Sequence, residues 1–362
     1  MKSKDNKSAA PFLIPLGITV KTAMKRLSEI GAKELFVVNE QEQLAGALSD
    51  GDIRKWLLHG GKLDAVVDKV CNKTPKFVER AYDLEHVKSL MLEHKIESIP
   101  VIDGDRKVER ILVWDEVFGN AMTIVRPRLK LPVVIMAGGK GTRLDPFTRI
   151  LPKPLIPIGD KPVIELIMEK FAEYGTRQFL VSLNHKARMV KSYFEEARQI
   201  YKIRYVTEDR PLGTAGALRL LARMIKGVFI VTNCDIIINC DYAELAAFHA
   251  KSRNDITIVV SCRNFVIPYG VCDIEPGGIL KAIQEKPGYD VLVNTGMYVV
   301  NPKLIKLIPA GVSFNFTDLI SKAKGLKMKV GVFPISEDAW IDIGQWEEYQ
   351  KAVRNLNQFV SG

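Results

Sequence analysis

Apolar and polar positions fall into two differently patterned halves that meet near residue 130. In the first half, a helical spacing over Thr22–Gly31 leads into the apolar run Leu35–Phe36–Val37–Val38, a polar turn and a second short strand at Gly46–Leu48. The same succession returns at an offset of 64 residues (35 to 99): a helical spacing over Leu84–Lys95, the run Ile99–Pro100–Val101–Ile102, and a strand at Arg110–Leu112. A unit of this size cannot bury its own apolar face, so two copies are expected to pack on each other. Residues 1–10 are small and polar and read as a frayed tail. From Asn120 to Lys130 the repeat is lost and a charged, Pro-containing stretch takes over, which predicts a domain boundary. The reading is a tail at 1–10, a repeat pair at 11–122, a linker at 123–131 and a larger domain at 132–362.

The second half alternates short apolar runs with helical periodicity. Strands are predicted at Pro132–Ala137, Gln178–Asn184, Ile203–Thr207 and Val228–Thr232. Helices are predicted at Pro162–Gly175, Ala187–Arg198, Gly213–Ile225 and Asp241–Ser252. This alternation predicts an α/β domain with a mostly parallel, Rossmann-like sheet covered by helices on both faces. Ligands of such sheets bind beyond the carboxyl ends of the strands, so residues just after each strand carry the candidate chemistry.

Most informative is Leu131–Glu165, LPVVIMAGGKGTRLDPFTRILPKPLIPIGDKPVIE. A buried strand ends at Ala137, and Gly138, Gly139 and Gly141 follow. Small residues there let backbone N–H groups close on an anion, with Arg143 and Lys153 near enough to add positive charge. The stretch lacks the third glycine of the dinucleotide fingerprint and the GK[ST] close of the P-loop. It closely resembles the signature of the sugar-1-phosphate nucleotidyltransferases, GGxGTRLxPxTxxxPKPLxPxxxKP. The repeat pair resembles a pair of CBS motifs.

These resemblances imply an activity and a site. The reaction would transfer a nucleotidyl group from a nucleoside triphosphate to a sugar-1-phosphate and release pyrophosphate. Arg143 and Lys153 would be catalytic. Ala137, Gly138, Gly139, Gly141 and Thr142, with Pro211, Gly213, Thr214 and Gly216 of the PLGTAG segment, would hold the nucleotide. Tyr269, Gly270, Glu285, Lys286, Asn294 and Thr295 would line the sugar-phosphate pocket. Asp235 and Asp342 would hold Mg²⁺, a cation that prefers hard oxygens. On spacing alone Asp235 reads as readily as a turn or helix-cap acid, and Asp342 reads more easily as an N-cap-region acid.

The PLGTAG form is similar to that of guanylyl- and some cytidylyltransferases, and GTP is favoured. Joined to a CBS pair, it resembles the glucosamine-1-phosphate guanylyltransferases of a legionaminic acid route, which favours that hexose-1-phosphate. CTP, UTP or dTTP with a glucose- or mannose-type 1-phosphate are the alternatives. CBS pairs bind adenosyl nucleotides through GxxSxxD, here Gly46, Ser49 and Asp52; the second repeat offers Arg110, Val113 and Glu116 instead. A CBS pair also suits a scaffold role, and a homo-oligomer is expected. The rival reading from another class is a non-catalytic nucleotide sensor, against which stands the retention of Arg143, Lys153, Asp235, Lys286 and Asp342.

Composition narrows the remainder. The chain has 362 residues, 47% apolar and 26% charged, which suits two ordinary globular domains. Its net charge of +10 is spread without a basic block or aromatic–basic patch, which argues against nucleic acid. Five cysteines without a CxxC pair read as reduced, buried residues rather than disulfides or a zinc site. No run reaches the roughly 18–20 apolar residues of a membrane span, so a cytoplasmic protein is expected. The five histidines match no ligand or triad spacing.

Overall fold

The structure is a computed structural model that describes residues 9–94, 96–118, 126–196 and 200–354. The chain divides into two units, Met1–Val125 and Arg126–Gly362. Of the expected tail, residues 1–8 lie outside the described residues. Ala9 is buried in the apolar cluster that holds Phe36 and Leu44, and Ala10 begins a short 3-10 turn, so the last two residues of the predicted tail are folded.

The first unit is built twice. Strands β1 (Leu13–Pro15), β2 (Glu34–Val38) and β3 (Leu44–Ser49) form one sheet. Strands β4 (Val78–Glu79), β5 (Ser98–Ile102) and β6 (Val108–Val113) form another with the same order. In each, the first pair is parallel and the second antiparallel. The halves join where the repeat predicted: Phe36, Leu44 and Ala47 share a core with Ile102 and Ile111. Equivalent residues also meet across the repeat, Lys33 Nζ with Glu97 Oε1 at 2.7 Å and Ser98 Oγ with Glu34 Oε2 at 3.2 Å.

In the second unit the strands are β7 (Val133–Ala137), the small hairpin β8 (Pro157–Ile158) and β9 (Lys161–Pro162), β10 (Gln178–Leu183), β11 (Lys202–Thr207), β12 (Phe229–Asn233) and β13 (Ile236–Ile238). They continue with β14 (Ile256–Val266), β15 (Val271–Ile274), β16 (Leu280–Gln284), β17 (Gly288–Val300), β18 (Val330–Ile335) and β19 (Trp340–Asp342). Seven form the central sheet in the order β11-β10-β7-β12-β17-β14-β18. Only β17 runs antiparallel to its neighbours. All five residues of β7 are buried, as a strand covered on both faces requires. The helix Val163–Ala172 buries Val163, Ile164, Ile167, Met168 and Phe171, the stripe its 3.6-residue spacing predicted.

One predicted helix departs from expectation. The helix predicted over Gly213–Ile225 is two single turns, Gly213–Gly216 and Leu218–Leu221. Its first amides are claimed from outside: Ala215 N and Gly216 N both donate to the Phe314 carbonyl at 3.0 Å. Tertiary contact overrides helical propensity there. The helix from Ala187 is described as far as Glu196; the rest of its predicted span to Arg198 lies outside the described residues.

Candidate active site

Because β10, β7 and β12 run parallel and side by side, their carboxyl ends open together. Beyond β7 the loop Gly138–Gly141 turns sharply. Gly141 has φ 71°, the left-handed region that favours glycine, and a Cβ on it would lie 2.8 Å from Thr148 Cγ2 and 3.0 Å from Lys153 Cβ. Thr148 Oγ1 closes the turn by donating to the Gly141 carbonyl at 3.0 Å. Buried Leu144 anchors the next turn, which leaves Thr142 and Arg143 exposed. The signature loop is thereby folded back onto Lys153. Ala137, predicted to touch nucleotide, is a strand residue whose side chain is spent in the core.

Strand β12 delivers Asp235, and β13 pairs antiparallel with β19 so that Ile236 lies opposite Asp342. Ile343 N donates to the Asp235 carbonyl at 2.8 Å, which locks the two strand ends together. The side chains converge over Gly344. A Cβ there would stand 2.6 Å from Asp235 Oδ2, 2.8 Å from Asp342 Oδ1 and 3.4 Å from Lys153 Nζ. Lys153 Nζ donates to Asp235 Oδ2, and Gly344 N donates to Asp342 Oδ1 at 2.8 Å.

Burial raises the Asp342 carboxyl and Asp235 adds to the rise, while the Gly344 amide, Lys153 and Arg143 oppose it. Burial works to lower the Lys153 ammonium, but the charges of Asp235 and Asp342 outweigh it and the net shift is upward. Lys153, Asp235 and Asp342 therefore share one small space, with the charge of Arg143 felt there.

No spacing pointed to Gly344, although a glycine two residues after a candidate ligand was a legible sign. Gly344→Ala is expected to press on both carboxylates, weakening divalent-cation binding at least tenfold, on the order of the loss from disturbing a ligand's support. Calorimetric titration with Mg²⁺ measures it, and unchanged binding would remove Gly344 from the site.

Among the described residues no group of three or more His, Cys, Asp or Glu side chains forms a metal cage. Two converging carboxylates suit Mg²⁺, which is usually held by one or two carboxylates plus substrate phosphates. The donor set fits that cation.

The PLGTAG segment packs closely against the 312–316 stretch. A Cβ on Gly213 (φ 76°) would meet the Phe314 carbonyl and Asn315 Oδ1, both at 2.8 Å, and one on Gly216 would meet Leu212 Cβ at 2.9 Å. Thr214 N donates to Asn315 Oδ1 at 3.2 Å, and Thr214 Oγ1 accepts from Phe316 N at 3.0 Å. These small residues admit the 312–316 segment, and the amides of Thr214 and Gly216 are used inside the protein. Pro211 remains exposed.

The residue that reaches the loop is Glu208, which the sequence reading left without a role. It is 5% exposed, its Oε2 accepts from Leu212 N at 3.0 Å, and its Oε1 lies 2.3 Å from where a Gly138 Cβ would be. Burial raises its carboxyl, against hydrogen bonds from Leu212 and Ser182.

The predicted sugar-side residues separate into two groups. Tyr269 and Gly270 precede β15, and Glu285 and Lys286 follow β16. The hairpin brings them together, with Glu285 Oε2 3.1 Å from a Cβ on Gly270. All four are exposed. Asn294 and Thr295, on β17, are engaged internally. Asn294 Nδ2 donates to Tyr298 OH at 2.8 Å and its Oδ1 accepts from Gly296 N at 3.0 Å. Thr295 is buried and gives its hydroxyl proton to the Val259 carbonyl at 2.8 Å, so its side chain serves the β14–β17 irregularity, not a ligand.

In the first unit, Ser49 and Asp52 form a capping box at the start of the helix Asp50–Leu58. Asp52 Oδ2 accepts from Ser49 N at 3.0 Å and from Ser49 Oγ at 2.6 Å. Gly46 is needed because a Cβ there would strike the Asn72 carbonyl at 2.8 Å. The side chains read as phosphate and ribose contacts also cap this helix. A cavity of about 220 Å³ lies elsewhere in this unit, lined by Glu34, Phe36, Asn72, Thr74, His94 and Ser98 among others. Burial raises the Glu34 carboxyl to about 7, with Ser98 opposing and Asp52 and Glu97 adding.

The chain is 30% identical over 247 residues to a UTP–glucose-1-phosphate uridylyltransferase of Synechocystis, covering 62% of this chain and 63% of that one. It is 28% identical to a D-glycero-alpha-D-manno-heptose 1-phosphate guanylyltransferase of Campylobacter jejuni, covering 60% and 97%. To a mannose-1-phosphate guanyltransferase of Debaryomyces hansenii it is 32% identical, covering 60% and 62%. The chain therefore spans just over three fifths of the length of the first and third of these relatives. Among solved structures, HddC from Yersinia pseudotuberculosis complexed with GMP-PN superposes with a TM-score of 0.51 at 28% identity, covering 62% of this chain and 99% of that one. Residues 8–59 and 67–119 match the CBS domain. Over residues 132–358, the span that holds the loop, Lys153 and both aspartates, the chain belongs to the nucleotidyl transferase family.

Proposed function

We propose that the protein transfers a nucleotidyl group from a nucleoside triphosphate to a hexose-1-phosphate, giving a nucleoside-diphosphate sugar and pyrophosphate. The observation that carries this reading is the convergence of Lys153, Asp235 and Asp342 over Gly344, beside the loop that bears Arg143. A sugar-phosphate oxygen forms a bond to the α-phosphorus, and the bond from that phosphorus to the α–β bridging oxygen breaks. The nucleophile is already an anion, so no general base is required. The protein must align two polyanions and offset their repulsion.

Arg143 grips oxygens of the transferring phosphoryl group, which its forked guanidinium suits. Lys153 neutralises phosphate charge. Asp235 and Asp342 would hold Mg²⁺, which supplies charge neutralisation at phosphate oxygens when bound. Lys286 and Glu285, at the foot of the exposed hairpin, take the sugar phosphate and sugar hydroxyls.

GTP is the favoured donor. The PLGTAG form noted in the sequence supports this donor. Two of the relatives above are named as guanylyl- or guanyltransferases. Glucosamine-1-phosphate is the favoured acceptor on the resemblance noted in the sequence. UTP with glucose-1-phosphate is the second reading, supported by the Synechocystis relative. An adenosyl nucleotide at the CBS pair would meet Ser49 and Asp52 or the cavity beside Glu34 and Thr74.

Four nucleoside triphosphates crossed with glucosamine-, glucose- and mannose-1-phosphate, scored by pyrophosphate release with Mg²⁺, test the reading. GTP with a hexosamine phosphate is expected to give the highest kcat/KM. Pyrophosphate from no pair would overturn the enzymatic assignment.

A further inference from the structure

We infer that Phe147 and Trp346 form a clamp that positions Arg143 relative to the carboxylates of Asp235 and Asp342. This rests on the nucleotidyl-transfer reading. The Phe147 ring stacks on that of Trp346 with centroids 5.4 Å apart and 29° between planes. Tyr349 completes the cluster, 5.9 Å from Phe147 and 5.6 Å from Trp346.

Phe147 lies four residues after Arg143 and six before Lys153. Trp346 lies four after Asp342 and two after Gly344, where the chain enters the helix Trp346–Arg354. The stack therefore joins the segment that carries the guanidinium to the segment that carries the second carboxylate.

Further contacts make the clamp a fixed part and not a chance meeting of two rings. Tyr349 OH donates to the Pro157 carbonyl at 3.0 Å, so one helix grips the signature stretch on both sides of Lys153. The segment around Phe147 is tied down at several points. Leu144 is 1% exposed, Arg149 makes a two-pronged pair with Asp145 at 2.6 and 2.7 Å, and Lys186 Nζ donates to the carbonyls of Thr148 and Arg149 at 3.1 and 2.5 Å. A displacement at Phe147 is therefore passed to Arg143 instead of being absorbed between them.

Arg143 is itself exposed and needs an external reference for its position. Trp346 remains 42% exposed, more than a residue needed only to fill a core. An aromatic pair contributes beyond the area it buries, which favours one arrangement of a small loop.

The test is a double-mutant cycle on pyrophosphate release, using the full chain and the best substrate pair. Trp346→Ala is expected to lower kcat by about 10- to 100-fold, the scale of an ångström-sized misplacement, with KM for the nucleotide little changed. Trp346→Phe keeps a ring and is expected to restore most of the rate. In an Arg143→Ala background, Trp346→Ala is expected to lower kcat less than twofold further, because a residue that acts through Arg143 has nothing left to position. Equal multiplicative losses in both backgrounds, or wild-type kcat in Trp346→Ala, would overturn the inference. Should Trp346→Ala fail to fold, Phe147→Leu replaces it in the same cycle with the same outcomes. A wild-type protein that releases no pyrophosphate defeats the parent reading instead, so the two failures are distinguishable.

Discussion

Arg143→Ala is expected to fold normally and to lose about 10²–10³ in kcat, the usual loss when one electrostatic contact to a developing charge is removed. Folding should survive because the side chain is exposed and the turn is anchored by Leu144 and Thr148. The loss should appear equally in kcat and kcat/KM, since the contact is made to the transferring phosphoryl group and not to the bound ground state. Arg143→Lys should recover little, because an ammonium cannot grip two oxygens at once. Steady-state pyrophosphate release measures all of this, with circular dichroism as the folding control. Turnover within threefold of wild type would remove Arg143 from the mechanism.

Asp235→Asn should be of similar size and show a different signature. It removes one of two converging carboxylates and leaves Lys153, at 17% side-chain exposure, without its anionic partner. The half-saturating Mg²⁺ concentration is expected to rise at least about tenfold, the order found when a metal site's support is disturbed. Maximal turnover should fall by about 10² or more. Arg143→Ala should leave the Mg²⁺ titration almost unmoved, so the pair of variants separates charge stabilisation from cation binding. An unchanged titration in Asp235→Asn would refute its role.

The residues that fix this site were unequally visible in the sequence. Wherever one local pattern decides the outcome, the reading was close: the buried stripe of Val163–Ala172, the run of β7, and the 64-residue repeat all follow from periodicity. Asp235 and Asp342 were ambiguous taken singly. Their meaning comes from the β13–β19 pairing, a contact between segments about a hundred residues apart that no spacing encodes.

The same physics explains the corrections. Close approach selects glycine whether the neighbour is a substrate or another part of the chain, and at Gly213 the Phe314 carbonyl is one such neighbour. Ser49 and Asp52 suit a ribose-phosphate and a capping box equally well, and the helix start claimed them. Glu208 and Trp346 went unread because their roles depend on partners, Gly138 and Phe147, that are distant in the chain.

One labelled turnover puts the whole account to the question. GTP carrying radiolabel on its α-phosphate, mixed with excess enzyme, Mg²⁺ and the best hexose-1-phosphate, should move the label into the nucleoside-diphosphate sugar in a single exponential, with unlabelled pyrophosphate in equal amount. Label that stays in GTP, or emerges as free GMP, would contradict the joining of two anionic reactants by Arg143, Lys153 and the paired aspartates.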